Sequence, residues 1–444
     1  MNDWFDAEKR VQRAYEFYES GRWEEALEEL TAALQVNPYQ SEWHFYMGLT
    51  LEDMGRFEQA LSCFEKALHH HNGDTRDILT HLGINGLRLG RFEESIEYFE
   101  QLQRLDPEDE SSYVHRIEAY SQLGNHEQAE VMFYLAAQLE GDSADAHFNM
   151  AGSLMARGRA DRALGCLETV KQIDPNHPRL NARLGRATWM KGRLVQAQRH
   201  YLRQLRIDPG DTETLMDLGL LLLEMDRPAD ASEKFRRLCE LDPTHAGAHE
   251  QLGRMALRRG RLEAAHSALE LVLRLEASRP RAHQLLAEVA LRRGRRDDAR
   301  RHLRAELALK RKTVASEKID DRHLGRLLMD VGLSSEAVAV LTAVAQVHPE
   351  DAAVQHQLAL ALLADGRIRE GITACHRAVK LNRRYTVAMH NLAAAHLQLG
   401  HLHRARCWAD RALRCDGSHE PTRLLRIRLR VLAARRWMQR RLGL

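Results

Sequence analysis

The stretch NARLGRATWMKGR, residues 181–193, sets Arg183, Arg186 and Lys191 at helical spacing, with Arg179 just ahead of it. Guanidinium forks and an ammonium gathered within a few turns are suited to holding carboxylate or phosphate oxygens. Other reactive chemistry is sparse. There is no glycine-rich phosphate loop, no HExxH and no GxSxG, so no residue is assigned as nucleophile, general base or cofactor ligand. The HHH at 69–71 and the HLH at 401–403 lack acidic or thiol companions at ligand spacing and read as solvated imidazoles rather than a metal site. Six cysteines, Cys63, Cys166, Cys239, Cys375, Cys407 and Cys415, show no CxxC spacing and read as core thiols. The expectation is a protein that binds rather than catalyses, with no cofactor and no metal.

What must position those cations is periodic. A turn glycine followed in most copies by arginine recurs at Gly21, Gly55, Gly90, Gly124, Gly158, Gly192, Gly260, Gly294, Gly332, Gly366 and Gly400, with Asp226 in the same phase. The interval is 34 residues except for 35 between Gly55 and Gly90 and 38 between Gly294 and Gly332. A second marker, Asn, Asp or His before proline, keeps the same beat at Pro38, Pro107, Pro175, Pro209, Pro243 and Pro349. With this glycine as position 15, twelve repeats begin at residues 7, 41, 76, 110, 144, 178, 212, 246, 280, 318, 352 and 386.

Within each repeat the apolar residues fall at helical spacing on both sides of the glycine, so each is a pair of amphipathic helices joined by that turn. Position 20 is alanine, serine or glycine in every copy, and position 8 is small, often glycine, with Ile117 the exception; both let the two helices approach closely. The proline ends the second helix, because it disfavours helix in the residue before it.

This pattern of small position 8, glycine 15, alanine 20 and proline 32 resembles the tetratricopeptide repeat across residues 7–419. The resemblance implies an all-α, right-handed α-solenoid superhelix of about twelve helix-turn-helix repeats, with first helices lining a concave groove. The expected organisation is an N-terminal cap segment at 1–6, repeats at 7–313, a four-residue insertion at 314–317, repeats at 318–419 and a basic C-terminal capping helix at 420–444. The extra residues in LALKRKTVASEKID, 307–320, equal about one helical turn and would form a longer second helix in the ninth repeat or a looped-out insertion. On the C-terminal helix Leu424, Ile427, Val431, Ala434 and Met438 share one face and are expected to cap the array.

The resemblance places binding in the groove, at positions 2, 5, 6 and 9 of the first helices. Those positions hold Phe45 and Tyr46 early, then His81, His115 and Asn149 at position 6, then Arg179, Arg183, Arg186 and Arg254. An extended peptide is the implied ligand, with an acidic segment or a C-terminal carboxylate as its anionic group. Some members grip such carboxylates with a lysine, arginine and asparagine clamp. Asn149 fits its middle element and Arg179 with Arg183 its last, whereas Val114 and Glu118 replace its first. Charge ladders compete for the same arginines: Glu213 and Asp217 stand one repeat after Arg179 and Arg183, and Asp145 precedes Arg179. Arg186 has only Gly152 and Leu220 at its level and is expected to lack a partner. Two cations about 6 Å apart repel by about 3 kcal/mol at an effective dielectric near 20, which an anion among Arg183, Arg186 and Arg254 would offset.

The net charge of +2 hides a gradient: 11 basic against 29 acidic residues in 1–143, 22 against 18 in 144–279, and 32 against 16 in 280–444. The ends therefore carry −18 and +16. Such ends suit head-to-tail self-association, or contact of the basic C-terminal third with nucleic acid or an anionic membrane. With no secretory signal pattern and no apolar run long enough for a span, the expected location is cytoplasmic. The leading expectation is an interaction scaffold or adaptor that binds a protein segment in its groove; a regulatory subunit of a separately encoded enzyme has the same sequence signature.

Overall fold

The computed structural model describes residues 2–71, 73–139, 143–312 and 321–442, and among these there is no strand. Helices α1 (Asn2–Glu19), α2 (Trp23–Val36), α3 (Ser41–Asp53), α4 (Phe57–His70), α5 (Arg76–Arg88) and α6 (Phe92–Leu105) come first. They are followed by α7 (Glu110–Gln122), α8 (His126–Leu139), α9 (Ala144–Ala156), α10 (Ala160–Ile173), α11 (Leu180–Met190), α12 (Leu194–Ile207) and α13 (Thr212–Glu224). Then come α14 (Pro228–Leu241), α15 (Ala246–Arg258), α16 (Leu262–Leu275), α17 (Ala282–Arg292), α18 (Arg296–Lys312) and α19 (Arg322–Asp330). The last are α20 (Ser334–Val347), α21 (Ala352–Ala364), α22 (Ile368–Leu381), α23 (Thr386–Gln398), α24 (Leu402–Cys415) and α25 (Glu420–Leu442). Two compact units divide at Lys234 and Phe235, inside α14. Each is an all-α repeat solenoid in which odd-numbered helices open a repeat and even-numbered helices close it.

Residue size sets the spacing of each pair. A Cβ on Gly48 would lie 2.5 Å from the Phe64 ring, and one on Gly83 2.4 Å from Phe99. The same contact joins Gly185 to Tyr201 and, in the C-terminal unit, Gly325 to Leu341. Position 8 is therefore small because the side chain at position 24 fills its place. Ile117 occupies that place itself, and Phe133 opposite is only partly buried. The position 20 residues Ala26, Ala60, Ser95, Ala129, Ala163 and Ala197 have no exposed surface.

The turns follow the same economy. Each glycine at position 15 takes a left-handed φ between 70° and 81°. The amide after it reaches back to the helix, as from Arg56 N–H to the Leu51 carbonyl at 2.8 Å, closing a Schellman motif. Asp226 adopts φ 55° in the same motif, with Arg227 N–H on the Leu222 carbonyl at 2.8 Å. At the repeat exits Asp106, Asp174, Asp208 and Asp242 each accept from the backbone N–H two residues on. Asn382 and Asp416 do the same without a following proline, so the turn forms with or without it.

Three features differ from the sequence reading. Pro178 and Pro280 open their repeats, Arg179 and Arg281 turn into the left-handed region (φ 60° and 66°), and α11 and α17 start late, with 11 residues where most first helices have 13. Helix α18 runs for 17 residues where α16 has 14, in keeping with the longer-helix alternative for the ninth repeat; the insertion at 314–317 lies outside the described residues. Helix α25 packs on α24 through Leu425 and Leu429, with Arg426 on Asp410 at 2.8 Å, while the buried Thr422 meets His390 of α23. The face expected to do so is open instead, with Leu424 61%, Ile427 57%, Val431 62% and Met438 50% exposed. Cys63 and Cys375 are core thiols, but Cys407 and Cys415 are exposed on α24. No described helix is long and apolar enough to cross a membrane.

Two outcomes follow from this architecture. Asp226→Gly removes a left-handed non-glycine residue and should raise stability by about 0.5–1 kcal/mol, read from urea melts of wild type and variant. The second concerns pH. Burial holds His44, His115, His283, His302, His356 and His390 below the ordinary imidazole value of 6.5. The unfolded chain then takes up these protons first, so stability is complete above pH 6.5 and falls as the pH drops below it. The melting temperature should decrease by several degrees from pH 7.5 to 5.5; an unchanged value would contradict this.

Candidate binding clefts on the first-helix faces

Helices α7 and α9, with the residues just before α11, enclose a cleft of about 440 Å³ in the N-terminal unit, lined among others by His115, Glu118, Asp145, Phe148, Asn149 and Arg179. The repeat phase puts positions 5, 6 and 9 of each first helix on this side. His115 stacks on Phe99 with ring centroids 4.9 Å apart, and burial keeps its imidazole neutral further down the pH scale than usual. The Asn149 amide donates to the Val114 carbonyl at 3.2 Å, which leaves its own carbonyl oxygen as an acceptor. Asp145 faces His177 at 2.8 Å rather than Arg179.

Arg183 is the central cation. Its guanidinium lies over the Phe148 ring, 3.6 Å from the centroid, and donates to the Phe148 carbonyl. Gly152 leaves the room for it, since a Cβ there would meet the guanidinium at 3.3 Å. Burial pushes the Arg183 pKa down to about 10, which still leaves it protonated at neutral pH. Among the described residues no carboxylate comes within 4.0 Å of it. Glu118 likewise has no cation within that distance among the described residues.

The ladder expected for these arginines is formed in part and otherwise reversed. Arg179 pairs with Glu213 as the register requires. Arg186, expected to be alone, reaches the same Glu213 at 3.6 Å. Asp217, expected on Arg183, instead accepts from the Tyr201 hydroxyl at 3.3 Å, and burial raises its carboxyl pKa. The cause is Phe148, one repeat back: its ring and carbonyl draw Arg183 toward α9, away from α13. An aromatic at position 5 before an arginine at position 6 was the available signal. Trp189 packs between repeats, its indole N–H on Glu224 at 2.6 Å.

The early candidates belong to a separate stretch of the same face. Phe45 packs on Phe64 and His81, each with centroids 5.6 Å away, and Tyr46 stands edge-on to Tyr15 at 6.2 Å. Burial alone would raise the Glu52 carboxyl, but hydrogen bonds from His81 at 2.8 Å and Asn85 at 3.1 Å, with Arg88 at 2.6 Å, hold it below its ordinary value. His81 is thereby committed to structure. In the C-terminal unit Arg254 pairs with Glu250 at 3.7 Å, beside a cleft of about 290 Å³ that also holds Arg258, Arg281 and Arg292. Of these three arginines, Arg186 and Arg254 each have a carboxylate partner within their own unit. Among the described residues no three His, Cys, Asp or Glu side chains are placed to hold a metal ion.

Paired helices in 34-residue phase, closed by a left-handed turn and locked by small residues, define a helix-repeat scaffold. Models of the tetratricopeptide repeat match residues 11–75, 47–110, 82–147, 323–385 and 356–420, a second such model 124–187 and 222–289, and a third 280–305. The first alone covers more than half of the chain, which therefore belongs to the tetratricopeptide repeat family, whose repeats serve as protein-protein interaction scaffolds. No curated protein sequence matches the chain. Among solved structures it is similar to YrrB, described as a tetratricopeptide protein with an unusual peptide-binding site, at 20% identity over 39% of this chain and 88% of that one, TM-score 0.34. It is also similar to the Cut9-Hcn1 hetero-tetramer of APC/C, at 13% identity over 95% and 96%, TM-score 0.43. Yeast Tom70 aligns at 14% identity over 98% and 96%, TM-score 0.39.

Proposed function

We propose that the cleft between α7, α9 and the residues just before α11 receives an extended segment of a protein partner. The observation that carries this reading is a pair of opposite charges without a contact ion pair, the Glu118 carboxylate in the cleft lining and the Arg183 guanidinium beside it over the lining residue Phe148, with the Asn149 carbonyl oxygen between repeats to accept a peptide N–H. A half-buried cation without a carboxylate gains most from a ligand that supplies one, because part of its desolvation is already spent in the free protein. The ligand is a segment with an acidic side chain or C-terminal carboxylate for Arg183 and a basic side chain for Glu118. Arg186 and Arg179, already held by Glu213, set the rim.

A second reading rests on the open face of α25. Leu424, Ile427, Val431 and Met438 form an exposed apolar stripe, and the exposed Arg423, Arg428, Arg430 and Arg435 flank it. An apolar stripe bordered by arginines is the form of a helix that lies on an anionic lipid surface.

The first reading is checked with peptides selected from a displayed random library and measured by fluorescence anisotropy. Arg183→Gln with Glu118→Gln should weaken them at least tenfold, while Arg186→Gln changes affinity about twofold or less; selected peptides indifferent to the double substitution would refute the cleft. For α25, vesicles of phosphatidylcholine with phosphatidylserine should bind the protein in low salt and vesicles of phosphatidylcholine alone should not. Ile427→Asp with Val431→Asp should abolish that binding, and equal binding to both vesicles would reject the lipid reading.

A further inference from the structure

The second-helix side of the N-terminal unit carries a cleft that the peptide reading leaves unused. It lies between α10 and α12 over α11, has a volume of about 480 Å³, and is lined by Lys171, Arg193, Arg199, His200 and Arg203 with Glu168. On α12 the residues Gln196, Arg199, His200 and Arg203 are spaced i, i+3, i+4 and i+7, so they share one face. On α10 Gly165, Glu168 and Lys171 do the same. Arg193 sits at the N-cap of α12, whose first turn holds no acidic residue. The whole helix, LVQAQRHYLRQLRI, contains neither aspartate nor glutamate.

The charges in this cleft do not balance. Glu168 is the only acid in the lining and is shared with Lys171 at 3.5 Å. Among the described residues Arg193, Arg199 and Arg203 have no carboxylate within 4.0 Å. Four cations against one anion leave a net of about +3. Like charges at i and i+4, as at Arg199 and Arg203, cost a helix about 0.2–0.5 kcal/mol. His200 adds a buried Nδ1 with no hydrogen-bond partner.

Gly165 gives a second, steric observation. It lies inside α10, where glycine costs about 1 kcal/mol relative to alanine, and yet a Cβ there would meet nothing within 4 Å. No close approach requires this glycine. Its effect is to leave the cleft wall open opposite Arg199, which occupies the same position one repeat later.

We propose that this cleft is an anion site for closely spaced phosphate groups. From Arg193 to Arg203 the helix rises about 15 Å, enough for two or three phosphates in line. A phosphate monoester carries about −1.5 to −2 at neutral pH, so two of them neutralise the excess that would need three carboxylates. The N-terminus of α12, free of acidic side chains, adds its dipole at the Arg193 end. The same chemistry comes from a free oligophosphate or from a protein segment bearing adjacent phosphoserines. The site is independent of the first-helix cleft, and neither depends on the other.

The test uses the full chain and isothermal titration at fixed ionic strength, with inorganic tripolyphosphate as the probe. Wild type should bind it, and Arg199→Gln with Arg203→Gln should bind at least tenfold more weakly. Arg22→Gln with Arg56→Gln, an equal loss of charge from paired arginines in the same unit, should bind as wild type does. Gly165→Glu, which places a carboxylate in open space and improves helix propensity, should also lose binding while melting no lower than wild type. A doubly phosphorylated peptide that binds tighter than tripolyphosphate identifies a protein segment as the source, and a weaker one a free anion. Tripolyphosphate that binds no better than sulfate, or an equal loss in the paired-arginine control, would overturn the site.

Discussion

The distance between the two helices of a repeat is the constraint from which the rest of the structure follows. It is fixed by side-chain volume: a ring or branched chain at position 24 occupies the space a Cβ at position 8 would need, and a buried alanine, serine or glycine at position 20 closes the other side. Overpacking at such a contact costs about 1–3 kcal/mol, so the phase of the repeat is strongly selected. Once that phase is set, positions 5, 6 and 9 of each first helix are carried to one side. What they hold varies more than positions 8 and 20, because their contacts run between repeats and admit several residue types, as with Phe45 on His81 and Arg183 on Phe148. The clefts inherit their chemistry from this freedom.

That division explains what was legible in the sequence. Helix pairs, turn glycines and the small positions obey steric rules that act within one repeat, and each could be read from residue type alone. Asp226 was recognisable as an exception, and its left-handed backbone shows the turn geometry overruling the residue's preference. The arginines were not legible in the same way. A position-by-position ladder treats each long side chain as if it must meet its counterpart one repeat later, but Arg183 has several rotamers and a nearby aromatic face, and it took the face. Arg186 then reached a carboxylate already shared with Arg179. For α25 the apolar residues were counted correctly, but two apolar stripes share that helix, and the one with Leu425 and Leu429 won the contact with α24.

Electrostatically, the chain separates two tasks. Exposed pairs such as Arg22 with Glu25 and Arg367 with Glu370 are local, each stabilised by a neighbour three residues away and each worth little against solvent screening. The groups without such neighbours gather instead in clefts, on the first-helix side at Arg183 and Glu118 and on the second-helix side along α12. With a Debye length of about 8 Å at physiological salt, a charge in one cleft is nearly invisible from the other face of the same unit. The N-terminal unit can therefore present a mixed-charge cleft on one side and a cationic one on the other.

The late start of α11 and α17 has a meaning beyond helix length. Most first helices begin at the first residue of their repeat; these two begin after a proline and a left-handed arginine, about 3 Å short. In each unit the cleft on the first-helix face takes one of these displaced arginines, Arg179 or Arg281, into its rim. A single proline at the head of a repeat thus behaves as an address. It marks, in an otherwise uniform array, the place where the backbone gives way and a side chain is turned outward to meet what arrives.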